Sequence, residues 1–442
     1  MKQFITTLQF EARHFVKSPF KIISLMLFIG AAIYGLQNGY VLYQKQHEEI
    51  QKIQLKDQTT IEEVTSWYDA GQKGPADKPW IDVTTPSWAM RQAPTSVVKD
   101  PSLLMPFSIG QAEQFGFYKQ VAPGSSVFDA DLAAEIANPE RLALGTLDFS
   151  FVFLYMLPVL AIVLLFNIGG LERDLGFDRL IEVNISSSRR WLAARFGFYY
   201  LMVAGVLLAL MLVYGGITGA LLAMPVNFLS VYLLLISYTF AWFVVFYLIN
   251  SEGSGSSGQA IQMASLWLLF CVLIPGGLHQ YASLKHPANY MTDYLDASRE
   301  ESYALYELPH DSIKRKLVAA YPELAETAHG QDSLTRQAII YSSFSGLTSK
   351  LMKAVALEVE ESNASKNQLI RSLSWLSPVT WYHNQINHLS ETDYDAYREY
   401  RADIQSTIDK KVSQLLIDSW DEEVIDKEKF LKYAEAFNPE ED

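Results

Sequence analysis

Charge is concentrated where a greasy run ends. Between Asp148 and Arg195 the chain reads DFSFVFLYMLPVLAIVLLFNIGGLERDLGFDRLIEVNISSSRRWLAAR. The first part is free of charge after Asp148, and the second holds Glu172, Arg173, Asp174, Asp178, Arg179, Glu182, Arg189 and Arg190. A compact charged connection between two apolar runs is suited to recognition: it can dock on a soluble partner and take up mechanical input. Covalent chemistry has no comparable signature. The chain contains no GxxxxGK[ST] phosphate loop, HExxH, CxxC or GxSxG, so it is expected to be no enzyme and to bind no nucleotide in the phosphate-loop manner. His383 and His388 are five apart, a spacing that misses a common helical face, and they read as polar surface rather than as metal ligands.

The element that must position the charged connection is a membrane span. Five apolar runs, about 22–43, 149–170, 196–223, 226–250 and 258–282, contain no Asp, Glu, Lys or Arg, and only His279 is ionisable. A run of about 20 such residues crosses a hydrocarbon core of roughly 30 Å as a helix. Its backbone must satisfy its own hydrogen bonds there. The fold class expected is therefore an α-helical polytopic membrane protein with five transmembrane helices. The absence of ionisable groups within the runs argues against proton- or ion-coupled transport and voltage sensing.

Lys and Arg near the spans set the orientation. Residues 1–21 carry Lys2, Arg13, Lys17 and Lys21 against Glu11, and 171–195 has five Arg against four acids. Segment 44–148 has nine basic and fifteen acidic residues, and 283–442 has seventeen and twenty-eight. The N-terminus and 171–195 are thus expected in the cytoplasm of a bacterium, with 44–148 and 283–442 in the periplasm. A net charge of −14, held mostly by those outer segments, argues against nucleic acid as a partner. Cys271, the only cysteine, lies in the fifth run, so the outer folds must hold by packing without an internal disulfide. The first run lacks a signal-peptide cleavage pattern and is expected to remain as an anchor.

Residues 3–18 set Phe4, Ile5, Leu8, Ala12, Phe15 and Val16 on one helical face, with Glu11, Arg13 and Lys17 towards the other. Pro19 then interrupts the pattern, as suits an amphipathic helix at the inner interface, residues 1–21. After a polar helical continuation over Gln44–Glu63, segment 44–148 is rich in Pro and carries Trp67, Trp80 and Trp88, which predicts a small loop-rich subdomain. Spans three and four form a hairpin turning at Pro225, and SEGSGSSG at 251–258 reads as a flexible connector. From 283 the pattern is mostly helical, over Asp311–Ala328, Ser333–Ser374 and beyond Thr392. The last sets Tyr397, Tyr400, Ile404, Ile408, Val412 and Leu415 in one apolar stripe. Pro158 and Pro275 interrupt spans, where a neighbouring helix must satisfy the freed carbonyl.

This layout resembles the permeases of type-2 ABC transporters, in particular a branch with large periplasmic insertions found in Bacteroidetes and Proteobacteria. FEARHFVKSP at 10–19, LDFSFVFLYMLPVL at 147–160, SLWLLFCVLIPGGLHQYA at 265–282 and LSWLSPVTWYHNQINHLSETDYDAYREY at 373–400 carry the likeness. In the connection, Glu172, Gly176 and Leu180 fit the family scheme and Ser188–Arg189 stands near its Ser-Arg turn, while Phe177 replaces the usual Thr and Ile185 the usual Pro. The resemblance implies that 171–195 is a coupling helix docking on an ATPase through Glu172, Arg173, Gly176, Phe177, Arg179 and Leu180; Pro158 and Pro275, by the missing N–H alone, are candidate helix kinks. It implies as partners an ABC ATPase dimer that holds ATP and Mg, a second identical or related permease, membrane lipid and a periplasmic partner, at the bacterial inner membrane. The family generally has a sixth span near the C-terminus, whereas this chain ends KEKFLKYAEAFNPEED; the resemblance implies a missing sixth span or a partner that completes the bundle. Transport of a substrate is the function implied. The rivals are a mechanotransmission subunit working in the periplasm without solute transport, and a scaffold without an ATPase.

Overall fold

The computed structural model describes residues 2–131, 147–177, 180, 181, 183, 187–252, 255–287, 303, 305, 307–330 and 337–436. Helix α1 (Lys2–Val16) is followed at Pro19 by α2 (Pro19–Asp69), a single 51-residue helix. At about 1.5 Å per residue α2 is roughly 77 Å long, over twice the thickness of a hydrocarbon core. Helices α4 (Phe149–Asp174), α5 (Ser188–Thr218), α6 (Pro225–Ser251) and α7 (Ser256–Lys285) join it, so five helices are long and apolar enough to cross a membrane. α3 (Pro86–Gln92) lies in the segment between α2 and α4. α1 and the α4–α5 and α6–α7 connections mark the near end of the bundle, and the other end, with the large folded unit, is the far end.

Local signals set the boundaries. Asp148 caps α4, its Oδ1 accepting the Phe151 N–H at 2.8 Å. Ser187 caps α5, accepting the Arg190 N–H at 3.4 Å, so α5 starts eight residues before the apolar run at 196 and closes at Gly219 instead of 223. α2 approaches the start of α4 so closely at Gly35 that a Cβ there would lie 2.6 Å from Phe149 N; only glycine fits.

In the far unit the outer half of α2 shares apolar clusters with residues 81–131 and with α8 (His310–Ala320), α9 (Gln337–Leu373), α11 (Tyr394–Trp420) and α12 (Lys427–Ala436), while α10 (Pro378–Leu389) packs into the span cluster. β1 (Ser96–Val98) and β2 (Tyr118–Gln120) form an antiparallel ribbon with Val97 opposite Lys119. The stripe Tyr397, Tyr400, Ile404, Ile408, Val412 and Leu415 is buried, each side chain contributing about 2 kcal/mol relative to exposure. Asp393 caps α11 by accepting the Ala396 N–H at 3.2 Å. The helix expected over Asp311–Ala328 is shorter: Pro322 forces Tyr321 out of the helical region, to φ −133° and ψ 82°, and ends α8 at Ala320. The expected start of the next helix, Ser333, lies outside the described residues.

Span core and far unit are continuous. Leu104, Phe107, Val379 and Ile386 belong to the same apolar cluster as the five spans. Hydrogen bonds close the seam: Gln111 N–H donates to Thr392 O at 2.8 Å, Thr392 Oγ1 to Ser108 O at 3.1 Å, Ser108 Oγ to Asn387 Oδ1, and Ile109 N–H to Asp148 Oδ2 at 3.3 Å.

Candidate functional site

Two places in the bundle combine polar groups with unusual backbone. The first is a charged knot at the near end. Arg195, four per cent exposed on α5, donates through Nε to Glu11 of α1 and through Nη1 to Glu172 Oε1 at 2.5 Å. Glu11 Oε2 also accepts the Tyr199 hydroxyl at 3.1 Å. Lys21, at the start of α2, donates to the same hydroxyl at 3.0 Å and to Leu164 O at 2.7 Å. The guanidinium of Arg195 stacks on Trp191, 4.6 Å from the ring centroid. Four helices are thereby tied by charge-assisted hydrogen bonds in a place with little water, where such bonds are strong and losing one partner is costly.

The end of α4 is shaped for this. Regular helix stops at Leu165, and Gly169 takes φ +81°, a turn that a side chain would strain. Gly169 N–H then donates to Glu172 Oε2 at 3.0 Å, which aims the other carboxylate oxygen at Arg195. Arg173 donates to Asn250 O at 3.0 Å and Asp174 accepts the Ser256 N–H at 3.1 Å. The Gly-Ser connector expected to be loose is thus pinned at Ser256 to the end of α4.

Of the residues expected to dock a partner, Glu172 points into this knot and Arg173 reaches Asn250 O on α6, both half-buried. Gly176, Phe177 and Leu180 lie on the surface, Phe177 being 51% and Leu180 61% exposed. Arg179 and Ile185 lie outside the described residues. Leu171, Leu175 and Val183 are also exposed, so the segment presents apolar side chains beside the knot. Glu11 departs from the sequence expectation: it belongs to the polar face of α1 by periodicity, yet is fully buried because Arg195 and Tyr199 receive it there. Sequence reasoning passed over Glu11, Lys21, Arg195 and Tyr199 as a set. The available signal was that Lys21 and Arg195 each immediately precede an apolar run, with Glu11 the only acid of the N-terminal segment.

The second place lies between α4 and α7. Both contain a π-helical turn, at Val152–Met156 and Leu268–Leu273, each just before a proline. Pro158 has no N–H for the Leu154 carbonyl four residues back. Tyr238 of α6 supplies the donor, its hydroxyl 2.5 Å from Leu154 O, and Trp267 Nε1 donates to Tyr155 O at 3.0 Å. The widened turns leave a crevice of about 530 Å³ on the side of the bundle, lined by Phe151, Tyr155 and Val159 on α4 and by Trp267, Gly276 and His279 on α7. His388 is turned away, its Nδ1 3.1 Å from Asp393 Oδ2. Among the described residues no three His, Cys, Asp or Glu are grouped as metal ligands.

No curated protein and no solved structure matches the chain. Residues 294–436, which take in α8 to α12 of the far unit and none of the spans, are similar to the family model described as a Domain of unknown function (DUF3526).

Proposed function

We propose that the chain is the membrane subunit of an ATP-driven complex of the type-2 ABC class in a bacterial inner membrane, with its near end in the cytoplasm and the far unit in the periplasm. A single observation carries this reading: the exposed apolar residues Leu175, Phe177, Leu180 and Val183 follow directly in the chain on Glu172, a member of the knot that ties α1, α2, α4 and α5, and the Phe177 N–H donates to Glu172 O at 2.7 Å. An apolar patch beside charge is a protein-docking surface. A push on it reaches four helices at once, because Glu172 is held between Gly169 and Arg195. In this reading the partner is an ATPase dimer that holds ATP and Mg, a second permease faces the first, and the spans carry a substrate path. The chain itself performs no covalent step.

One observation favours a mechanotransmission variant of the same complex. α2 runs unbroken from Pro19, beside the knot, to Asp69 in the far unit, so motion at the near end is delivered beyond the membrane by one rigid element. ATP-dependent accumulation of substrate in vesicles separates the two, since a pure transmitter accumulates none. The class itself is tested by Phe177→Asp combined with Leu180→Asp. ATPase activity that co-purifies with the wild type is lost, while Leu222→Asp, at the far end of α5 and 88% exposed, leaves it intact. Retention of that activity by the double variant overturns the proposal.

A further inference from the structure

The crevice between α4 and α7 has a length, a lining and a rim that together specify a ligand. α7 runs from near end to far end and α4 the opposite way, so Trp267 and Val159 form its deep end and His279 and Phe151 its mouth. The twelve residues from Trp267 to His279 rise about 18 Å, slightly more than half a hydrocarbon core of roughly 30 Å. It is one leaflet deep, is lined mainly by aromatic and apolar side chains, and opens sideways on helices whose surroundings are lipid. Gly276 lines it, and a Cβ there would meet nothing within 4 Å.

The mouth differs in character. His279 lies within electrostatic range of His383 on α10 and Lys366 on α9. α9 reaches this point because Ile370 packs with Leu278 and Ala282 of α7. At the mouth His279 lines the crevice itself, and Lys366, one turn before Ile370 on α9, brings an ammonium near it; a neutral imidazole still carries an N–H donor. Asp148, the acid that acts on His383, is turned into the start of α4, its oxygens taken by Ile109 N–H, Phe151 N–H and Ser150 Oγ. A basic, donor-rich rim above an apolar slot one leaflet deep is complementary to a phosphate headgroup above an acyl chain.

We infer that this crevice binds an anionic phospholipid of the far leaflet, with one acyl chain along Trp267–Gly276 and the phosphate at His279 and Lys366. The inference stands whether or not an ATPase docks at the near end.

Native mass spectrometry of the detergent-purified chain tests it, using equimolar phosphatidylglycerol and phosphatidylcholine with identical acyl chains. The wild type retains phosphatidylglycerol about fivefold over phosphatidylcholine, the ratio that one lysine at a membrane surface supports. Lys366→Gln with His279→Gln brings the ratio close to one while lipid is still retained. Gly276→Trp, which fills the slot, loses both lipids; Gly276→Leu serves if the tryptophan variant does not fold, and must do the same. Equal retention of the two lipids by the wild type, or undiminished retention in the filled variant, overturns the inference.

Discussion

Arg195→Met removes the cation that bridges two carboxylates, Glu11 and Glu172. The side chains of Glu11 and Glu172 are 0% and 20% exposed and that of Arg195 is 5% exposed. Removing one partner of a buried ion pair costs about 3–5 kcal/mol, chiefly because the remaining charge is stranded. Each carboxylate keeps one donor, Tyr199 for Glu11 and Gly169 N–H for Glu172, which puts the loss near the lower end, ~3 kcal/mol. In a chain of 442 residues, at roughly 2.1 cal/mol/K of unfolding entropy per residue, that corresponds to a fall in the apparent unfolding midpoint on the order of 3 °C. Tryptophan fluorescence during heating in detergent measures it. Neutralising all four groups together, Glu11→Gln, Glu172→Gln, Arg195→Met and Lys21→Met, strands no charge and recovers most of the loss. Arg190→Met, at an exposed position of α5, changes stability by less than about 0.5 kcal/mol. An unchanged midpoint in Arg195→Met, or a quadruple variant as unstable as the single one, refutes the reasoning that the knot is a coupled charge cluster.

Three further outcomes are expected. Tyr238→Phe leaves the Leu154 carbonyl without its hydroxyl donor and costs about 1–3 kcal/mol; adding Pro158→Ala supplies an N–H and restores part of it, so a double-mutant cycle of thermal midpoints shows coupling between the two positions. In the far unit, burial lowers the Lys411 ammonium from its ordinary 10.5 to about 7, although its Nζ donates to Ala93 O, Thr95 Oγ1 and Val121 O. The folded chain then holds fewer protons than the unfolded one between about pH 7 and 10.5, so this residue makes stability rise with pH across that window, its full cost being present below pH 7. Urea midpoints at pH 7 and pH 9 show that slope in the wild type and a flatter one in Lys411→Met. Gly35→Leu drives a side chain into the Asp148–Phe149 backbone and lowers the yield of folded chain in size-exclusion chromatography, whereas Gly30→Leu, where a Cβ would meet nothing within 4 Å, does not.

The five helices long and apolar enough to cross a membrane were legible because the signal is one of length and composition, and lipid would leave the backbone no alternative to helix. The buried stripe of α11 was legible for a related reason, since helical spacing alone groups Tyr397 with Ile404 and Val412. Partnership between distant residues was not. Nothing local to Glu11 distinguishes it from Arg13 or Lys17 as a surface charge; only the approach of α5 converts it into a buried ligand for Arg195. The same holds for Glu172 and Arg173, whose charges suggested a docking contact but are spent on Arg195 and Asn250. Their neighbours Phe177 and Leu180 remain at the surface. The prolines announced a need for an outside donor without naming Tyr238, and the crevice depends on two π-helical turns that no sequence periodicity marks. The seam of Ser108, Asn387 and Thr392 joins residues nearly three hundred positions apart.

The central claim is that the segment after α4 is where a motor acts on these spans. With Cys271 replaced by Ser, single cysteines at Phe177, at Leu180 and, as a control, at Leu222 can be cross-linked in membranes of the native host. The account predicts that positions 177 and 180 each give an adduct with a nucleotide-binding ATPase, altered in yield by ATP with vanadate, and that position 222 gives none. Adducts lacking any ATPase at 177 and 180, in membranes where ATPase activity still co-purifies with the chain, would contradict it.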